Sequence, residues 1–115
     1  MSSRSFATDT RTATVTYRLV FSPEAQTDLT EIYDYIADRA GRGRAMAYLD
    51  RVERFCADFV EFPLRGTRRD DLRHGLRTIG FERRITIAFH VVPDTITIDR
   101  IFYGGRDIDG TYESD

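Results

Sequence analysis

The feature that most constrains the fold is a pair of amphipathic helical stripes separated only by Gly-Arg-Gly at residues 41–43. In both stripes apolar residues recur every three or four positions, which predicts two helices with one buried face each. The first stripe is Ala25, Leu29, Ile32, Ile36 and Ala40, and the second is Ala45, Leu49, Val52, Phe55 or Cys56, and Phe59. Ser22 and Pro23 favour a helix start, and Pro63 a stop after about residue 61. The short connection predicts an antiparallel helical hairpin.

The remainder of the chain has strand character. Residues 14–21 alternate between apolar and polar, and residues 84–92 and 95–103 are rich in β-branched and aromatic side chains, with a weaker run at 76–80. Pro93-Asp94 is typical of a turn and predicts that the last two strands form a hairpin. The order β-α-α-β-β-β therefore predicts an α+β fold, a helical hairpin packed on a small, mostly antiparallel sheet.

The length of 115 residues fits one domain, which we place at residues 14–109. Residues 1–13 are polar and aperiodic and are expected to form a disordered arm. Residues 110–115 are expected to be a polar tail, in which Tyr112 packs on nothing. Cys56, the only cysteine, falls on the second apolar stripe and is expected to be buried. With no apolar run near 20 residues and no signal-peptide pattern, we expect a cytoplasmic protein without a membrane span.

Charge is distributed unevenly along the chain. Residues 24–39 carry five acids and one arginine, whereas residues 65–84 carry seven arginines and three acids. This asymmetry favours an anionic partner for the second segment, with Arg68, Arg69 and Arg73 as its contacts. Asp70 and Asp71 lie among these arginines and are expected to neutralise them locally rather than act as an acid/base pair. Cys56, His74 and His90 lack the spacing of metal ligands, so we expect no metal and no cofactor.

Three collinear segments resemble ParE-type toxins of the RelE/ParE superfamily. Residues 17–41, YRLVFSPEAQTDLTEIYDYIADRAG, are similar to the strand and first helix of that family. Residues 62–78, FPLRGTRRDDLRHGLRT, resemble its Pro, Gly-x-x-Arg and Asp-Leu-Arg-x-Gly-Leu-Arg pattern. Residues 100–109, RIFYGGRDID, resemble its closing strand and Gly-x-Arg tail, although Tyr103 stands where histidine is common. The extension before Tyr17 is also longer than the usual start of the family.

The resemblance implies a RelE/ParE-like fold and the toxin half of a type II toxin–antitoxin pair. It implies neutralisation by a ParD-like antitoxin with a ribbon-helix-helix domain, so that operator DNA is contacted only through the antitoxin. The ParE branch acts by binding DNA gyrase and needs no nuclease chemistry. We expect an apolar groove between the hairpin and the sheet to receive the antitoxin.

An alternative within the same superfamily is a RelE-type, ribosome-dependent mRNA endoribonuclease. Such enzymes place cations at one phosphate and use a C-terminal tyrosine, which would assign the reaction here to Arg84, Arg106, Tyr112 and Arg77. All 17 basic residues of the chain are arginines, so the lysines of RelE-type enzymes are absent. This favours the gyrase inhibitor over the enzyme. A third possibility is a toxin fold that only binds its antitoxin and co-represses the operator.

Overall fold

The computed structural model describes residues 17–104 and 108–113. Its elements are β1 (Arg18–Phe21), α1 (Pro23–Ala40), α2 (Arg42–Ala57), a 3₁₀ turn (Asp58–Val60), β2 (Thr67–Arg68), β3 (Leu76–Phe81), β4 (Ile85–Val92), β5 (Thr95–Tyr103) and α3 (Ile108–Glu113). This confirms the order β-α-α-β-β-β and adds two short elements, β2 and α3, that the sequence pattern did not predict. The expected N-terminal arm and residues 14–16 of the predicted first strand lie outside the described residues.

The five strands form one sheet in the order β1-β5-β4-β3-β2. Only β1 pairs in parallel, with Leu19 opposite Ile96, and the other three pairings are antiparallel. The sheet is therefore mostly antiparallel, as predicted. The β4–β5 hairpin turns at residues 93–94, and its ladder shifts register between Ala88 and Phe89. Because β1 is short, the second half of β5 is paired only with β4 and has no strand on its other side.

The hairpin of α1 and α2 forms for the reasons that the sequence indicates. The Ser22 hydroxyl accepts a hydrogen bond of 3.0 Å from the Ala25 amide and caps α1. Gly41 is the single residue between the two helices, and its φ of +96° is a conformation that favours glycine. The second helix starts at Arg42 and ends at Ala57, and the 3₁₀ turn replaces its predicted last turn.

The main core lies between the helical hairpin and the inner face of the sheet, which is the face on which α1 and α2 pack. The buried side chains there include Ile32, Val52, Phe59, Ile87, Phe89, Ile96 and Ile98. Leu29, Leu49 and Phe55, predicted as core residues, are only partly buried at its margin. Tyr48 takes the deeply buried position, with 3% of its surface exposed. Cys56 is buried as expected, which raises the pKa of its thiol to about 12.

A second, smaller core lies on the outer face of the sheet. It contains Leu76, Ala88 and Phe102, which are buried, and the partly buried Leu72, Ile108 and Tyr112 pack against it. Helix α3 thus covers part of the face opposite the hairpin. The expectation that Tyr112 packs on nothing is wrong, because α3 begins at Ile108 and spaces its two apolar residues four apart.

Candidate functional site

In the arginine-rich segment from β2 to β3, two arginines form ion pairs with neighbouring aspartates. Arg68 forms an ion pair of 2.6 Å with Asp70, and Arg69 binds both carboxylate oxygens of Asp71, at 3.0 and 2.9 Å. The Gly75 amide donates to Asp70 at 2.9 Å, and together with Arg68 it lowers the pKa of Asp70. Local neutralisation by the two aspartates is therefore confirmed, and it engages two of the three arginines predicted to bind a partner.

Arg73 differs from Arg68 and Arg69. It forms no ion pair with any residue in the described ranges, and it lines an open polar cavity of about 420 Å³. Arg100 and Tyr112 line the same cavity, together with the acidic residues Glu24 and Asp99. Among the three predicted contact residues, Arg73 is the one whose positive charge remains available to an anionic partner.

Arg77 lies on β3 with a structural role. Its Nε donates to the Arg65 carbonyl at 3.0 Å, and its Nη2 donates to the Leu64 carbonyl at 2.9 Å. These bonds hold the preceding loop against the sheet. Arg77 shares the inner face with Ile79, which packs on the main core, because side chains alternate along a strand.

Arg84 lies beyond the turn that joins β3 to β4. Glu82 and Arg83 have positive φ values of 52° and 57°, and the Arg84 amide donates back to the Phe81 carbonyl at 3.1 Å. This tight turn directs Arg84 to a cavity shared with Tyr48 and Arg51 of α2. Arg84 therefore meets the helical hairpin, on the inner side of the sheet.

Tyr112 lies on the outer face, where its ring contacts the ring of Phe102 edge-on, with centroids 6.4 Å apart. Its hydroxyl is buried and has no hydrogen-bond partner among the described residues. Burial raises the pKa of this phenol to about 12. The structure thus separates the ribonuclease candidates, with Arg77 and Arg84 on the inner side and Tyr112 on the outer side. Arg106, the fourth candidate, lies outside the described residues.

The structure also reveals an ion pair that sequence analysis did not predict. Asp28 of α1, 4% exposed, accepts from Nε and Nη2 of Arg100, at 2.9 and 3.1 Å, and from the Ile101 amide at 2.8 Å. It thereby satisfies a backbone donor on the edge of β5 that extends beyond β1. The pattern that could have indicated this role is the position of an acid on the apolar stripe, midway between Ala25 and Ile32.

Beside this ion pair, a groove of about 320 Å³ separates α1 from the uncovered part of β5. Ile32 and Ile101 form its floor, and the rings of Tyr35 and Tyr103 contact each other at a tilt of 58°, with centroids 5.1 Å apart. The carboxylates of Glu31 and of Asp28, the latter paired with Arg100, also line the groove. The predicted groove between the hairpin and the sheet is thus present. Its lining is not the purely apolar one that was expected, because it includes two acidic residues.

Residues 17–104 and 108–113 contain no cluster of three or more His, Cys, Asp or Glu side chains suited to a metal ion. Within the same ranges, no helix combines the length and apolar character needed to cross a bilayer.

Comparison with known proteins places the chain in a family. The family model described as the ParE toxin of type II toxin-antitoxin system, parDE, matches residues 19–108. Among solved structures, a chain of the chromosomal ParDE TA system from P. aeruginosa has a TM-score of 0.69 and 24% identity. The match covers 78% of this chain and 98% of that chain, and it shows the same fold. No curated protein sequence matches significantly. Since the family model spans most of the sequence, the chain belongs to the family of ParE toxins of type II toxin–antitoxin systems.

Proposed function

We propose that this ParE-family chain arrests growth by binding DNA gyrase and that it is not a nuclease. The observation that carries the proposal is the separation of Arg77 and Arg84 from Tyr112 by the thickness of the sheet. A ribonuclease must bring cations and a proton-transferring group to one phosphate. Residues on opposite faces of a sheet do not serve the same phosphate.

The state of the individual groups supports the same proposal. A phenol with a pKa of about 12 stays protonated near neutral pH, and the buried Tyr112 hydroxyl is a poor general base there. The guanidinium of Arg77 is engaged with two backbone carbonyls, which limits its ability to stabilise a transition state. A toxin that inhibits its target by binding needs neither group to react, and gyrase would be met in the cytoplasm.

We further propose that a ParD-like antitoxin neutralises the toxin by occupying the groove between α1 and β5. The uncovered half of β5 and the apolar floor of Ile32 and Ile101 provide a site for an added peptide segment. Arg73, which lines the cavity beside Arg100 and Tyr112, would bind an acidic residue of that segment. A ribbon-helix-helix domain of the antitoxin would contact operator DNA, so that the toxin meets DNA only indirectly.

The deciding experiment compares wild type with Tyr112→Phe in cells, with growth, protein synthesis and DNA supercoiling followed in parallel. We expect both proteins to arrest growth equally and to inhibit supercoiling by purified gyrase, because the substitution keeps the ring packing and removes only a hydroxyl. Tyr35→Phe, at an exposed tyrosine of α1, is the matched control. Rapid loss of translation with wild type, abolished by Tyr112→Phe at equal protein levels, would instead establish the endoribonuclease.

A further inference from the structure

A cavity of about 350 Å³ lies on the inner side of the sheet, where the two helices meet the β3–β4 turn. Arg44 and Arg51 of α2 reach it from the helical hairpin, and Glu82 and Arg84 reach it from the turn. Tyr48 lines it between the two helical arginines. Three positive charges and one negative charge therefore border a single space.

The charges of this cavity are only partly compensated within the protein. Arg51 binds Glu82 through two hydrogen bonds, at 2.9 and 3.1 Å, which neutralises one arginine. Arg44 and Arg84 form no ion pair with any residue in the part of the chain that the structure describes. Arg44 also belongs to the first turn of α2, where no acidic residue and no side-chain cap offset the positive end of the helix dipole. The cavity therefore has an excess of two positive charges.

The hydroxyl of Tyr48 provides a second and independent indication. Tyr48 is 3% exposed, yet its Oη atom has no hydrogen-bond partner among the described residues. A hydroxyl that is buried without a hydrogen-bond partner has lost its hydrogen bonds to water, and nothing in the protein replaces them. Burial raises the pKa of this phenol to about 12, so it remains a donor at neutral pH. Tyr48 and the two unpaired arginines can thus each donate a hydrogen bond to a molecule that enters the cavity.

From these observations we propose that Arg44, Tyr48 and Arg84 form a binding site for a phosphate group. The two arginines can only donate, so their ligand must be an acceptor, and their uncompensated charges favour an anion. The donors come from two turns of α2 and from the β3–β4 turn. A tetrahedral phosphate presents oxygens in several directions, whereas a carboxylate presents two oxygens in one plane, so this arrangement favours phosphate. The site shares only Arg84 with the ribonuclease candidates and is separated from Tyr112 by the sheet.

The test measures binding of inorganic phosphate and of adenosine diphosphate to the purified full-length toxin, by calorimetry and by NMR shifts of the Tyr48 ring. We expect both anions to bind, with chemical shift changes confined to the cavity. Arg84→Gln and Arg44→Gln should each weaken binding about tenfold or more, since each removes a charged hydrogen bond. Arg83→Gln is the matched control, because Arg83 is exposed in the same turn and does not line the cavity. Its dissociation constant should stay within about twofold of wild type.

Tyr48→Phe separates a ligand contact from a structural role. It should weaken phosphate binding about tenfold and leave the thermal midpoint of the unliganded protein equal or higher, because the hydroxyl has no partner to lose. Tighter binding of the diphosphate than of phosphate would identify a nucleotide as the source, and equal binding would identify free phosphate. The proposal is overturned if neither anion binds at millimolar concentration, if all variants bind equally, or if an acidic peptide of equal charge competes better than phosphate.

Discussion

At the scale of single residues, the two buried tyrosines carry a signature that is measurable in alkaline solution. The pKa values of Tyr48 and Tyr112 are raised from 10.0 to about 12 by burial. A group whose pKa is higher in the folded state stabilises the fold fully below its unfolded pKa and loses this contribution as the pH rises through the folded pKa. The free energy of unfolding should therefore fall between pH 10 and 12.

The slope of unfolding free energy against pH measures how many protons are released on unfolding. We expect Tyr48→Phe and Tyr112→Phe each to make this slope shallower, by the equivalent of about one proton. Urea unfolding between pH 9 and 12 measures the slope, with Tyr35→Phe, at an exposed ring, as the control. The pKa of the buried Cys56 thiol is also raised to about 12. Both variants should therefore still lose some unfolding free energy as the pH rises. Identical slopes for wild type and both variants would mean that these hydroxyls titrate as they do in the unfolded chain.

Asp28 provides a second prediction at this scale. Its carboxylate is buried and accepts three hydrogen bonds, two from Arg100 and one from the Ile101 amide. Asp28→Ala should lower the free energy of unfolding by about 3 kcal/mol, because it leaves a charged group and a backbone donor without partners. Asp50→Ala is the control, since Asp50 pairs with Arg54 at the surface and should cost about 0.5 kcal/mol or less. Equal losses in the two variants would contradict the role assigned to Asp28.

At the scale of elements, α3 decides how the outer face of the sheet is covered. Deleting the residues after Asp109 removes Tyr112 from Phe102 and from the second core. We expect this deletion and Tyr112→Ala each to cost about 2 kcal/mol of stability, since a partly buried aromatic ring is lost. Tyr112→Phe keeps the packing and should stay within about 0.5 kcal/mol of wild type. A deletion without effect in urea unfolding would restore the earlier expectation of a tail that packs on nothing.

The elements that were predicted differ from those that were missed in the length of their sequence patterns. The long helices and the β4–β5 hairpin were predicted because they are periodic over 8 or more residues and have a cap or turn at an end. The strand β2 has two residues and α3 has six, and neither is long enough for a period to be read. Tyr48 was missed because Leu49 beside it is more hydrophobic, although positions 45, 48, 52 and 56 follow the helical period equally well.

At the scale of the whole molecule, the arrangement of charge leads to a prediction about the antitoxin. Replacing Arg68, Arg69 and Arg73 together by glutamate should weaken the complex with a ParD-like antitoxin and reduce its salt dependence. Among single changes, Arg73→Gln should have the largest effect, because Arg68 and Arg69 are already paired with Asp70 and Asp71. Dissociation constants at low and high salt measure both effects. Equal effects of Arg68→Gln and Arg73→Gln, or none, would remove the loop from the interface.

The sequence by itself determined the α+β class, the helical hairpin, the order of the long strands and the resemblance to ParE toxins, because these depend on local periodicity and on motifs along the chain. Tertiary structure alone decided which distant residues meet. It brought Asp28 to Arg100 across 72 positions, and it placed Arg84 beside Tyr48 on one face of the sheet and Tyr112 on the other. Strand register, the bulge in β5 and the tight turns decide which residues of separate elements face each other. A periodic pattern within one element does not specify how that element is aligned with the next.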